Sequence, residues 1–255
     1  MGLYFRRVYP DRCCLCESGQ LLTGEHKIKA SALRQELGAG PFYLGVIDSP
    51  TGEGRFVQGR KSKRLHFKAR LCKQCNSSRT QPADMEFERF NGLTRAAVES
   101  GQPPWSALED PIYSVGGNPY LNLFRYFAKL LACHIADALA PVPRELGDFA
   151  TSRSPRNIVK LEVRKDPAFD GMIQRLGGFQ YAAHGGLQIA GKRSSGTPTA
   201  FCSSLTIGPI QYFFFIALPW PAVLELRFLH RDFYNTCRVK VRLASRHPPT
   251  TEESS

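Results

Sequence analysis

The chain has 255 residues, 42% hydrophobic and 22% charged, ordinary globular proportions with length enough for one large or two small cores. Its 34 basic against 22 acidic residues give a formal charge of +12, a balance that favours polyanionic partners such as nucleic acid. Eight cysteines in a chain this long, with no signal-peptide-like apolar segment, argue against a secreted disulfide scaffold. The most apolar stretch, Tyr212 to Leu218, falls far short of the roughly 20 residues a membrane helix needs. A reducing, cytoplasmic setting without a membrane span is the expectation.

Taken in order, Leu3 to Pro10 alternates loosely and suggests a short strand leading into Cys13-x-x-Cys16. Ser31 to Leu37, where Ser31 stands with Gln35 or Glu36, suggests a short capped helix. From Pro41 to Arg64 the density of glycine and proline predicts hairpins or a long loop, read as an insertion. Arg64 to Leu71 reads as a strand delivering the chain to Cys72-x-x-Cys75. Pro82 to Val98 has helical spacing of apolar residues, with Asp84 as a first-turn acid. Gly101 to Pro119 reads as an irregular connection. Asn118 and Pro119 then start the strongest helical pattern, an apolar stripe from Leu121 to Leu139 in which His134 is given a structural role. Beyond it the alternation at Val159, Leu161 and Val163, and the runs Thr199 to Leu218 and Ala222 to Leu229, predict strands. The polar tail from Arg246 has the composition of a disordered segment.

Two CxxC pairs supply four soft thiolates from two tight turns, the ligand set of a closed tetrahedral zinc site with no open position for chemistry. Cys13, Cys16, Cys72 and Cys75 are therefore expected to hold a structural zinc ion. Cys14, Cys133, Cys202 and Cys237 lack such spacing and are read as ordinary, mostly buried thiols. Between the pairs lies Glu25-His26, and the second pair runs into Asn76. Nine Lys or Arg residues and no acid lie between Arg55 and Arg79, beside these candidates.

Cys13-x-x-Cys16, the segment Glu25 to Ser31 and the segment Leu71 to Thr80 together resemble the HNH endonuclease family in its zinc-containing form, over roughly the first third of the chain. The resemblance implies a treble-clef-like ββα-metal unit that holds a divalent ion against a scissile phosphate. It implies Glu25 and Asn76 as ligands of a catalytic magnesium or manganese ion and His26 as general base. These roles suit the chemistry: neutral imidazole accepts a proton near pH 7, and carboxylate and amide oxygens are hard ligands. Two departures stand out. Glu25 occupies a position that is often Asp in the family, and Phe67 falls near the expected middle Asn, with His66 as the candidate replacement brace.

The expected fold class is α+β: a zinc-stapled nuclease domain over residues 1–100, a linker over 101–118, a helix and β-rich accessory domain over 119–245, and a tail over 246–255. The expected function is metal-dependent hydrolysis of phosphodiester bonds in DNA, with RNA also open as a substrate. Lys61, Lys63, Arg64, Lys73 and Arg79 are the expected phosphate contacts. The alternative is a non-catalytic, zinc-dependent nucleic-acid-binding protein. A homodimer would supply the two centres a double-strand cut needs. A regulatory ligand or protein on the C-terminal region is a further expectation.

Overall fold

A computed structural model describes residues 2–46, 54–178 and 180–243. The first half runs β1 (Phe5–Arg6), β2 (Leu22–His26), α1 (Ala30–Leu37), β3 (Phe42–Val46), β4 (Arg55–Val57), β5 (His66–Cys72) and α2 (Gln81–Glu99). The second runs α3 (Asn118–Asp137), β6 (Val142–Pro143), α4 (Arg144–Ala150), β7 (Val159–Lys165), α5 (Phe169–Arg175), β8 (Tyr181–His184), β9 (Gln188–Lys192), β10 (Thr197–Ile207), β11 (Ile210–Ala217), α6 (Trp220–Leu229) and α7 (Arg231–Leu243). The chain is a mixed α+β protein with a cysteine cluster near its N-terminus. No helix among the described residues is long and apolar enough to cross a membrane.

Three sheets form. The largest has the order β4-β3-β8-β10-β11-β7, with β9 also pairing with β10. The long β10 makes this possible: its first half pairs with β9 through Thr197–Cys202, and its end pairs with β8 through Leu205–Ile207. All pairings are antiparallel except β3 with β8. Parallel strands need a long crossover, and this one runs from residue 46 to residue 181. Gly45 lies where β3 meets β8, and a Cβ there would come within 2.9 Å of the Tyr181 ring.

The insertion expected between Pro41 and Arg64 thus contributes β3 and β4 to a sheet made mostly by the second half of the chain; its residues 47–53 lie outside the described ones. Buried side chains from both halves also belong to one hydrophobic cluster, so the boundary expected near residue 101 is crossed by strand pairing and by core. The stretch read as a linker is docked: short 3-10 turns at Pro104–Glu109 and Pro111–Tyr113 place Tyr113 so that its hydroxyl donates to Glu86 Oε1 of α2 at 2.9 Å.

Helix α3 is the centre of this core. Its residues from 126 to 136 are all buried, so the expected stripe is in fact buried all round. Leu123, Phe127, Leu130, Leu131 and Ile135 are at most 1% exposed, and each stabilises by roughly 1.5–3 kcal/mol relative to exposure. The same helix carries Lys129 at 0% exposure, a buried ammonium that needs charged partners to offset its desolvation. Phe87 of α2 stacks on Tyr126 at 3.9 Å, and the Tyr212 hydroxyl of β11 donates to Asn91 Oδ1 and pairs with Thr94 Oγ1, tying α2 to the large sheet.

Several local expectations are corrected. Ala222 to Leu229 is helical, because Pro219 and Pro221 fit a helix start and Leu, Glu and Arg then favour the helix. Ser31 is not a cap: Lys29 holds that position, and the Ser31 hydroxyl donates to Glu88 of α2. The first strand is only Phe5–Arg6, since its partner β6 is equally short. Helix α3 is capped by Gly117 rather than Asn118. The tail expectation falls outside the described residues.

Candidate active site and cysteine cluster

Strands β2 and β5 form an antiparallel pair, Leu22 opposite Cys72 and His26 opposite His66, with the register shifting between Gly24 and His26. Glu25 sits in that irregularity. After Cys72 the chain makes a wide π-type turn, Cys75–Arg79, and enters α2, so two strands and a helix follow one another around a common centre. Helix α2 begins with Pro82 in its first turn, where a missing N–H costs no hydrogen bond.

The two cysteine turns meet at one end of this pair. The Sγ atoms of Cys13, Cys16, Cys72 and Cys75 all lie within 4.8 Å of one another. A tetrahedral zinc with bonds near 2.3 Å places its sulfurs about 3.8 Å apart, and Cys16 and Cys72 stand at 3.6 Å. The four cysteines fit a metal ion such as zinc. The Cys14 N–H donates to Arg70 O at 3.1 Å, the Lys73 N–H to Leu21 O at 2.9 Å and the Cys75 N–H to Cys72 Sγ at 3.4 Å, which locks the turns to the strands and to each other. The hydrogen bond between Cys13 and Cys75 pulls the Cys13 thiol down and, together with burial, pushes that of Cys75 far up. The remaining cysteines are buried, as expected, with Cys14 and Cys133 4.0 Å apart.

The second half of the chain grips the first cysteine turn. Leu15 O accepts from Arg6 Nη1 and from Arg153 Nη2, and both guanidinium groups pair with Asp148 at 2.7 Å. Gly147 of α4 is required by this approach, since a Cβ there would lie 2.8 Å from Leu15 O.

Glu25, His26 and Asn76 line one cavity of about 380 Å³, together with Lys29, Asp84 and Tyr126. Asn76 Nδ2 donates to Thr23 Oγ1 and to Gly24 O, both at 2.9 Å. A carbonyl only accepts, so this pairing fixes which end of the amide is nitrogen and leaves Oδ1 as the atom available to a ligand. His26 is half-buried. Burial first, and then His66, Lys129 and Lys29, hold its imidazole below the ordinary value, so it is neutral near pH 7. His66 lies directly opposite, its ring centroid 3.9 Å from that of His26. Phe67 turns to the other face of β5, buried edge-on against His134 at 4.8 Å, so His66 and not Phe67 faces His26. His134 has the expected structural surroundings, beside His184, whose imidazole burial lowers to about 4.

The sequence did not reveal Lys129. Its Nζ lies 2.9 Å from Glu25 Oε1 and 2.5 Å from Asp84 Oδ1, a buried ammonium between two carboxylates that face the cavity. Burial pulls this ammonium down, but Glu25 and Asp84 outweigh it and hold it above its ordinary range. Burial likewise raises the Glu25 carboxyl, against the pull of Lys129. Asp84 does occupy the first turn of α2, as read, and lines the cavity as well. The available signal for Lys129 was a single lysine in an otherwise apolar stretch, Phe127 to Ala132.

His26 also borders a second cavity, of about 750 Å³, walled by Arg34, Arg60, Lys61, Arg64 and Phe56. Two expected phosphate contacts, Lys61 and Arg64, are thus beside His26, while Lys63 is exposed on the adjoining turn Lys63–Leu65. Lys73 is exposed at the second cysteine turn. Arg79 is turned toward the cluster instead, donating to Cys75 Sγ at 3.7 Å. No family model, curated protein or solved structure matches the chain.

Proposed function

We propose that this chain is a metal-dependent endonuclease of the HNH type that hydrolyses phosphodiester bonds in DNA. The observation that carries the reading is that Glu25, His26 and Asn76, chosen from sequence, line one cavity built by two strands and a helix beside a four-sulfur cluster. The donor set also fits a hard divalent cation. Glu25 and Asp84 offer carboxylate oxygens and Asn76 offers Oδ1, the hard oxygen donors that a divalent cation such as magnesium takes.

In this reading His26, kept neutral by burial, takes a proton from the attacking water. His66, its ring tilted 44° to that of His26 with centroids 3.9 Å apart, limits its rotation. Glu25, Asn76 and Asp84 would hold magnesium or manganese, which when bound stabilises charge on the phosphate and leaving oxygen. Lys61 and Arg64, with Arg34 and Arg60, supply charge-assisted contacts to flanking phosphates. The four cysteines, saturated by zinc, do no chemistry and hold the frame.

A specific observation favours a second reading, a zinc-dependent nucleic-acid-binding protein without catalysis. Glu25 is committed to Lys129 and the Asn76 amide to the β2 backbone, so both have structural work independent of a metal. The deciding experiment is cleavage of supercoiled plasmid with magnesium or manganese, where nicked and linear products report strand outcome. Cleavage that depends on the added ion and disappears in His26→Ala supports the nuclease. Binding without cleavage under either ion supports the second reading.

A further inference from the structure

Helices α6 and α7 line neither of the two cavities at His26. Between them they form one of their own, of about 430 Å³, from Arg227, Phe228, Arg231, Tyr234, Asn235 and Arg238. Three of these six residues are arginines, and among the described residues no acid lines the cavity. Arg231, Asn235 and Arg238 follow one another at intervals of four and three, so they share one face of α7.

The other charges of this helix pair have structural partners. Lys240 Nζ donates to Leu187 O at 3.3 Å and Arg242 Nη2 to Ser195 O at 3.5 Å, which holds α7 to the strands beneath it. The Glu225 carboxylate of α6 accepts from the N–H groups of Leu3, Tyr4 and Phe5 at 2.7, 2.9 and 3.0 Å. Asp232, the remaining acid of the two helices, is exposed and takes no part in the lining. By contrast, among the described residues the side chains of Arg227, Arg231, Tyr234, Asn235 and Arg238 make no hydrogen bond or ion pair, and Arg227 lies only over the ring of its neighbour Phe228 at 5.7 Å. Tyr234 is the telling member: it is 8% exposed, yet its hydroxyl, a group that ordinarily finds a partner when buried, has none there.

Three guanidinium groups around one cavity repel one another until an anion enters. Phosphate suits them, because a guanidinium donates to two of its oxygens at once and a phenol can donate to a third. Arg227, Arg231 and Asn235 are exposed, so the cavity opens outward along the helix pair. Arg231 and Arg238 leave α7 roughly 10 Å apart along its axis, a span suited to successive phosphates of a chain more than to a single ion. We infer that the α6–α7 cavity is a second nucleic-acid site, which holds backbone phosphates apart from the basic stretch Arg55 to Arg79. It needs neither His26 nor a divalent ion, and so goes beyond the nuclease reading without depending on it.

The test is equilibrium binding of the full chain to duplex DNA over a range of salt, without added magnesium or manganese. Replacing Arg227, Arg231 and Arg238 together by glutamine should weaken binding and lower the log–log salt slope by about one for each arginine that meets a phosphate. Tyr234→Phe should weaken binding about threefold with the slope unchanged, because it removes a hydrogen bond and no charge. Glutamine at Arg156, Lys160 and Lys165 removes the same net charge from elsewhere and should have the smaller effect. Unchanged affinity and slope in the triple arginine variant, at parental zinc content and circular dichroism, overturns the inference. So does an equal loss in the control triple, which would mean that overall charge and not this site is responsible. If the arginine variant binds DNA like the parent but loses affinity for inorganic phosphate or for anionic vesicles, the site takes another anion and the inference also fails. Absence of any DNA binding overturns both this inference and the nuclease reading, whereas an arginine-dependent affinity in a protein that never cuts removes only the nuclease.

Discussion

Replacing Lys129 with methionine removes the ammonium while keeping nearly the same buried volume. Each Lys129 contact, at 2.9 and 2.5 Å, has a gross Coulomb attraction of about 6 kcal/mol at an effective dielectric near 20, most of which offsets desolvation. Breaking such a group by removing one partner costs about 3–5 kcal/mol, because the other charges stay buried without compensation. The side chains of Glu25 and Asp84 are 14% and 18% exposed, so the lower end, about 3 kcal/mol, is expected. For a chain of this size that lowers Tm by roughly 6–12 °C. The pH dependence identifies the cause. Burial already raises the folded-state Glu25 carboxyl, and without Lys129 it rises further. A carboxyl raised on folding destabilises fully above its folded value and not at all below its unfolded value, near 4.3. The loss measured by urea unfolding should therefore be greatest at pH 7–8 and shrink as pH falls toward 5. Adding Glu25→Gln and Asp84→Asn to Lys129→Met should recover most of it at pH 8. A loss under about 1 kcal/mol, or one equally large at pH 5 and pH 8, would refute the reasoning.

Metal analysis should find one zinc per chain, and Cys16→Ser or strong chelation should unfold the β2–β5 region, read as lost hydrogen-exchange protection there. His26→Ala should abolish plasmid cleavage with DNA affinity nearly unchanged, while Glu25→Ala and Asn76→Ala should raise the manganese concentration needed for half-maximal rate. With His26 held below the ordinary imidazole value by burial, the acid limb of the cleavage rate should lie below pH 6.5, a pH–rate profile being the check. Neutralising Lys61, Lys63 and Arg64 together should lower the log–log salt slope of DNA binding by about one for each charge that meets a phosphate; full affinity in the triple alanine variant would place the DNA path elsewhere.

The cysteine pairs and three of the residues that line the small cavity, Glu25, His26 and Asn76, were legible because they sit in or beside short motifs, whereas Tyr126, Lys29 and the place of Asp84 in the cavity were not. Two residues between thiols fix a turn, and the residues that follow inherit their direction from it. Helices α2 and α3 were legible for the same reason, since their apolar spacing is local. Helix α6 was misread because Val223, Leu224, Leu226 and Leu229 form an apolar run whose length fits strand or helix alike. Helix α7 was passed over although Tyr234, Cys237 and Val241, its buried residues, have helical spacing.

By itself the sequence determined the metal-type sulfur set, the basic stretch and the candidacy of Glu25, His26 and Asn76. Tertiary structure decided the rest. Only folding brings Lys129 of α3 between Glu25 and Asp84, because a buried ammonium in an apolar helix has no sequence signal for which carboxylates will meet it. Only folding gives β3 to β8 across residues 46 to 181, since parallel pairing carries no local signature. And only folding turns Arg34, Phe56 and Arg64, distant in sequence, into the wall of one cavity beside His26, because a cavity is a property of how surfaces meet and not of any segment that forms them.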